Sequence, residues 1–125
     1  MKVINTPDAP KAIGPYSQAV IANGLLFTSG QIAINPKTNQ IEATAIEEQT
    51  KQVMENLKAL LAASNASFDK VVKTTIFLKD MNTFGTVNEI YGSYFANHKP
   101  ARSTVEVARL PKDVLIEIEL IAKID

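Results

Sequence analysis

Two ionisable side chains stand where such groups are least expected: Arg102 in Ala101-Arg102-Ser103-Thr104-Val105, and Glu117 in Leu115-Ile116-Glu117-Ile118-Glu119. Both stretches alternate as strands do, and 101–108 reads as an otherwise buried one. A guanidinium in such a place is costly unless something pairs with it. For Arg102 the partner is either a carboxylate of this chain, with Glu106, Glu117 and Glu119 as cross-strand candidates, or one brought by a ligand. Its rigid fork of donors matches a carboxylate two bonds at a time. Glu117, between aliphatic neighbours, is a candidate for orienting water; burial raises a carboxyl pKa and a nearby arginine lowers it. Glu119 has the same parity, so spacing does not choose between the two.

Weaker candidates surround this pair. Tyr16 lies in Gly14-Pro15-Tyr16-Ser17-Gln18, a constrained turn that either presents the hydroxyl at a cleft or packs the ring. Ser29 precedes Gly30, where a missing side chain permits close approach of a ligand, or a simple bulge. Asn88 falls in a helical stretch whose polar face is exposed by default. Thr104 shares a strand face with Arg102, and its hydroxyl either holds a water or reflects ordinary strand preference.

Composition removes most other chemistries. With no cysteine there is no thiol nucleophile, disulfide or thiolate metal site, and one histidine builds no His-rich metal centre. That residue, His98, follows a helical stretch and reads as a solvated end-of-helix group. The glycines are isolated, so no phosphate-cradling loop is present. Chemistry here must use carboxylate, guanidinium, hydroxyl and backbone groups with water. Thirteen basic residues balance thirteen acidic ones, which leaves no footprint for nucleic acid or an anionic membrane. The first residues lack a signal-peptide core and no apolar run reaches ~20 residues, so a soluble, cytoplasmic protein is expected.

The elements that must position these groups follow from patterning. Residues 19–22 and 25–34 flank Asn23-Gly24, a hairpin signal; 35–39 is a turn. Thr44-Ala45-Ile46-Glu47 reads as a capping box before a helix with an Ile46, Val53, Leu57, Leu60, Leu61 stripe, stopped by Asn65 in a left-handed conformation. Residues 71–79 read as a strand. Asn82 or Thr83 caps a second helix that turns Phe84, Val87, Tyr91, Tyr94 and Phe95 inward. Residues 102–108 and 114–123 read as a final strand pair, and 2–4 as a short extra strand. The order is ββαβαββ in one domain, 1–125, and two helices economically cover one sheet face. Strands 71–79 and 114–123 are apolar on both faces, so the second face needs cover too: an obligate homo-oligomer with ligand clefts between subunits is expected.

Taken in order, GPYSQA (14–19), TSGQI (28–32), VKTTIFLKDM (72–81), VNEIY (87–91), PARS (100–103), VEVARLPK (105–112) and IEIE (116–119) resemble the Rid/YjgF family of reactive-intermediate deaminases from about Ile4 to Lys123. The resemblance implies an α+β, chorismate-mutase-like fold: a mixed β-sheet with two helices on one face, three units assembling as a trimeric barrel with sites between subunits. It implies cofactor-free hydrolysis of 2-imino acids and their enamine tautomers, such as 2-iminobutyrate and 2-iminopropanoate, to 2-oxo acids and ammonia. By the same resemblance Glu117 and Tyr16 are the catalytic positions, and Arg102, Ser29, Gly30, Asn88 and Thr104 bind the substrate. Position 104 is often cysteine in the family, so regulation through that thiol is excluded here. The connection 97–100 is also shorter than in some members. A non-enzymatic trimer that binds small carboxylates or acts as a chaperone is the alternative. RNA cleavage, ascribed to some members, fits poorly with neutral charge and the lack of a paired-histidine or metal site.

Overall fold

A computed structural model describes residues 1–124, which run through strands β1 (Lys2–Ile4), β2 (Ala19–Ala22) and β3 (Leu25–Thr28), helix α1 (Ile46–Ala63), β4 (Val71–Leu78), α2 (Phe84–Ser93), β5 (Ala101–Glu106) and β6 (Ile116–Lys123). The β2–β3 turn uses Asn23 at φ 51° and Gly24 at φ 74°, the two left-handed positions that an Asn-Gly hairpin provides. Helix α1 buries Val53, Leu57, Leu60 and Leu61 along its stripe. It stops at Asn65, φ 56°, where Ala66 N–H donates back to the Leu61 carbonyl at 2.8 Å and Asn65 N–H to that of Ala62 at 3.1 Å. Those two bonds satisfy carbonyls that the helix end would otherwise strand.

The sheet order is β1-β2-β3-β6-β4-β5, with β4–β5 parallel and every other pairing antiparallel. The crossovers from β3 to β4 and from β4 to β5 step across the sheet in the same direction. Right-handed crossovers then place both helices on one face, and α1 indeed packs against both α2 and β6. Val53, Leu57 and Leu61 meet Val87, Tyr91 and Phe95 above Ile76, Leu78, Ile118 and Leu120 in one core. This is the mixed α+β architecture expected.

Several local expectations are corrected. Strands β5 and β6 do not pair, because β4 lies between them; its Thr74, Ile76 and Leu78 are buried and it needs ladder partners on both sides. The 107–115 connection is long enough to step over it. In this single chain β5 is a solvent-facing edge, not a buried strand. Strand β3 ends at Thr28; beyond Gly30 only Gln31 returns to the ladder, bonding Ile118 in both directions at 2.8 and 3.1 Å. No side chain caps α1, whose N-cap is Ala45. Gln49 instead donates to the Ala43 carbonyl at 3.1 Å and accepts from Leu115 N–H at 2.9 Å. The N-cap of α2 is Thr83, one of the two residues expected, but its side chain makes no cap bond. The Asp80 carboxylate instead accepts from Asn82 N–H at 2.9 Å at the start of the short 3-10 turn Met81–Thr83 that leads into the helix. His98 is half-buried with Nε2 2.6 Å from the Val71 carbonyl, tying the loop before β5 to the start of β4.

The face away from the helices carries Phe27, Phe77, Val105 and Ile121 among Lys73, Thr75, Ser103, Glu117 and Glu119, as the strand register requires. Phe27 and Val105 are 38% and 43% exposed, so the apolar part of that face is uncovered in one chain.

Buried amides fix the loops that the sheet cannot. Asn56 Nδ2 donates to the carbonyls of Ile32 and Ile34 at 3.2 and 3.0 Å. Gln18 Oε1 accepts from Thr6 N–H at 2.7 Å while its Nε2 donates to the carbonyls of Thr6 and Pro10 at 3.0 and 2.8 Å. Replacing Gln18 by Ala strands these groups and should lower unfolding stability by roughly 1–3 kcal/mol. Urea denaturation measures it; an unchanged midpoint would show that the 5–17 loop does not depend on this side chain.

Candidate active site

The strand pleat separates the two charges Arg102 and Glu117. Arg102 is in register with Thr74, and Thr74 with Leu120, so Arg102 lies on the face that carries the helices. Glu117 is in register with Phe77 on the opposite face. The two cannot meet within one chain. Among the described residues Arg102 forms no cross-strand pair: Glu106 accepts from Met81 N–H at 2.8 Å, and Glu117 and Glu119 are across the sheet.

Around Glu117 the structure gathers four of the candidates. Tyr16, Ser29, Gly30 and Glu117 line a cleft of about 540 Å³ whose apolar wall includes Pro10, Ile13 and Ile32. Each is held by its local chain. Tyr16 follows a three-residue turn closed by its own N–H on the Gly14 carbonyl at 2.9 Å; the residue is 53% exposed in the single chain. The Ser29 hydroxyl donates to the Ser17 carbonyl at 2.5 Å and its N–H to that of Gln18 at 2.9 Å, fastening the 14–18 segment to the end of β3. Gly30 is required by close approach: a Cβ there would stand 2.8 Å from Glu117 Cδ and collide with the carboxylate. The serine is thus partly a fastener, and the glycine makes room for the glutamate.

Glu117 is half-buried, and desolvation pushes its carboxyl pKa up, with the like charge of Glu119 adding to the rise. Glu119 is exposed and lines no part of the cleft, so of the two carboxylates that share this face Glu117 is the one that borders it.

On the helix side, Arg102 and Asn88 line a second hollow of about 390 Å³ with Tyr91, Gly92, Phe95, Lys99 and Pro100. Arg102 Nη1 donates to Asn88 Oδ1 at 2.6 Å. An amide oxygen occupies one donor and leaves the positive charge uncompensated. Thr104, on the same strand face, buries its hydroxyl with no hydrogen-bond partner among the described residues and lines neither hollow. A stranded polar atom of this kind is rare and calls for a ligand or water. Another surface hollow, about 640 Å³ against α1, contains none of the candidates.

Lysine 112 also borders the Glu117 cleft, in a left-handed backbone at φ 54° and next to Asp113 at φ 55°. Sequence reading gave it no role; the only signal was its place at the end of VEVARLPK. Asp113 is gripped by Arg109 at 2.7 and 3.2 Å, which holds this turn. No cluster of potential metal ligands occurs among the described residues, and no helix there is long and apolar enough to cross a membrane.

A six-stranded mixed sheet with two helices on one face is the architecture of a known group of small proteins. The family model described as Endoribonuclease L-PSP matches residues 6–124, and the chain belongs to that family, the YjgF/Rid family. A 2-iminobutanoate/2-iminopropanoate deaminase of Escherichia coli is 51% identical over 124 residues, covering 97% of this chain and 96% of that protein. A RutC family protein of Pyrococcus horikoshii is 58% identical over 121 residues, covering 97% and 96%. Among solved structures, Escherichia coli TdcF with bound serine superposes with a TM-score of 0.94 at 45% identity over 100% of both chains.

The like charge beside Glu117 yields a titration test. Glu119→Gln should move the Glu117 carboxyl pKa down toward its ordinary value, read by carbon-13 NMR of that carboxyl. An unmoved titration would remove Glu119 as a cause of the elevation.

Proposed function

We propose that this chain is a cofactor-free hydrolase of 2-imino acids, assembled as a homotrimer in which Arg102 of one subunit and Glu117 of its neighbour share a cleft. The supporting observation is the opposite-face placement of two groups that each need a partner. The guanidinium is unneutralised, the carboxylate borders an apolar cleft, and the sheet face between copies is uncovered. The deaminase names of relatives at about half identity favour the same reading, as does serine, a small amino acid, bound to a family member.

In the proposed reaction Arg102 grips the substrate carboxylate in two-point fashion and so fixes C2 relative to Glu117. The Glu117 carboxylate accepts a proton from water as the water oxygen bonds to C2. The C=N π pair moves to nitrogen, which takes that proton back from Glu117, leaving a carbinolamine and an ionised Glu117. Collapse of that intermediate shifts the hydroxyl proton by way of Glu117 to nitrogen, breaks the C–N bond, and releases ammonia and the 2-oxo acid. Tyr16 borders this space, and Thr104, two residues from Arg102 on the same strand face, holds a buried hydroxyl without a partner among the described residues. The chemistry requires an ionised Glu117, so its raised pKa sets an acid limit on activity: turnover falls as pH drops through that pKa and holds above it.

The test generates 2-iminobutyrate in situ and follows its loss at limiting enzyme. Glu117→Gln should lower kcat by roughly 10²–10⁴-fold, the range of general acid–base assistance. Arg102→Ala should cut kcat/KM roughly ten- to a hundredfold, and Arg102→Lys should not restore it because the fork is lost. Full activity in either alanine or glutamine variant would overturn the reading. Tight binding of 2-oxo acids by a protein without turnover would favour the non-enzymatic carboxylate-binding trimer.

A further inference from the structure

The hollow that receives Arg102 has a floor as well as a hydrogen-bond partner. Phe84, Asn88 and Tyr91 are spaced i, i+4, i+7 and form one stripe of α2. The Arg102 Cζ lies 5.2 Å from the Phe84 ring centre and 5.1 Å from that of Tyr91, within range for attraction between a cation and a ring face. Tyr91 is itself immobilised. Its ring packs on Phe95 with centres 4.8 Å apart, and its hydroxyl is 2.7 Å from that of Thr74, the residue in register with Arg102. Both Tyr91 and Thr74 are buried. By contrast, Arg102 sits on an exposed edge strand, where a long side chain otherwise samples many rotamers and must surrender them on binding.

We propose that Phe84 and Tyr91 are positioning residues whose rings form a ledge that holds the Arg102 guanidinium in one orientation, with Asn88 fixing its rotation, before any ligand arrives. The ledge supplies order without neutralising charge: an acidic partner would hold the guanidinium as firmly but would compete with the incoming carboxylate. It rests on the reading of Arg102 as the carboxylate receptor and adds the groups that preorganise it. Phe84 and Tyr91 touch no reacting atom, so their effect is on affinity and not on the chemical step.

Two measurements on the full-length protein separate this from a general packing role. The first is proton NMR of the Arg102 δ-methylene without ligand; the second is calorimetric binding of 2-oxobutyrate. In the native chain the δ protons should be shifted upfield by the rings. Phe84→Leu and Tyr91→Leu should each reduce that shift and weaken 2-oxobutyrate binding roughly two- to thirtyfold, the range such contacts carry. Tyr91→Phe keeps the ring and should keep both the shift and most of the affinity, even where the lost bond to Thr74 lowers the melting temperature. Leucine variants with native affinity, or a Tyr91→Phe variant as weak as Tyr91→Leu, would overturn the ledge. Binding that is indifferent to Arg102→Ala would instead overturn the carboxylate reading, and the ring shift would then decide the ledge alone.

Discussion

The pleat of the β4–β6 and β4–β5 ladders is the constraint on which the site depends. Because residues two apart share a face and neighbours do not, register with Thr74 commits Arg102 to the helix side, and register with Phe77 commits Glu117 to the other. A slip of one residue in either ladder would exchange those faces and bury the wrong set of side chains. Core packing guards against the slip: Ile76, Leu78, Ile116 and Ile118 are all fully buried on the helix side. The hydrophobic core therefore specifies where the charges lie without touching them.

The loops obey a different rule. They have too little apolar surface to be fixed by burial, and are fixed by buried amides whose hydrogen bonds run to backbone groups far away in sequence. Gln18 holds the 6–10 segment, Asn56 the 32–34 segment, and Gln49 links the start of α1 to Leu115, two residues before Glu117. The cleft around Glu117 is walled by these same segments. Buried polar groups with complete hydrogen bonding specify one arrangement more strictly than aliphatic packing does. Thr104 is the exception, and its stranded hydroxyl lies on the strand face of Arg102.

What the sequence made legible was mostly local. The Asn23-Gly24 turn, the α1 stripe and the Asn65 stop follow from conformational preference within a few residues, and the structure has all three. Same-direction crossovers and handedness put both helices on one face. Strand adjacency was illegible: 102–108 and 114–123 are neighbours in sequence, yet β4 wedges between them to satisfy ladder bonds that no local pattern reveals. The expected Thr44 cap is absent, since the helix starts one residue later with Ala45 as its N-cap, and Gln49 ties that end to Ala43 and Leu115. His98 lost its expected solvation to the Val71 carbonyl, a tertiary bond. Within the site, residue types pointed to Arg102 and Glu117, but parity could not separate Glu117 from Glu119. The Gly30 segment makes that distinction by admitting one carboxylate into its cleft. Phe84 and Tyr91 were legible as inward-facing residues and not as the floor under a charge, since only the strand register brings Arg102 over them.

The proposed activity needs two half-sites that no single chain can unite. Its most direct measurement mixes Arg102→Ala and Glu117→Gln chains, each nearly inactive alone, by reversible unfolding and reassembly, then assays 2-iminobutyrate hydrolysis. Clefts that draw their arginine from one variant and their glutamate from the other should restore about a quarter of native activity, as random assembly around a ring dictates. Verified mixed assemblies no more active than their parents would contradict it.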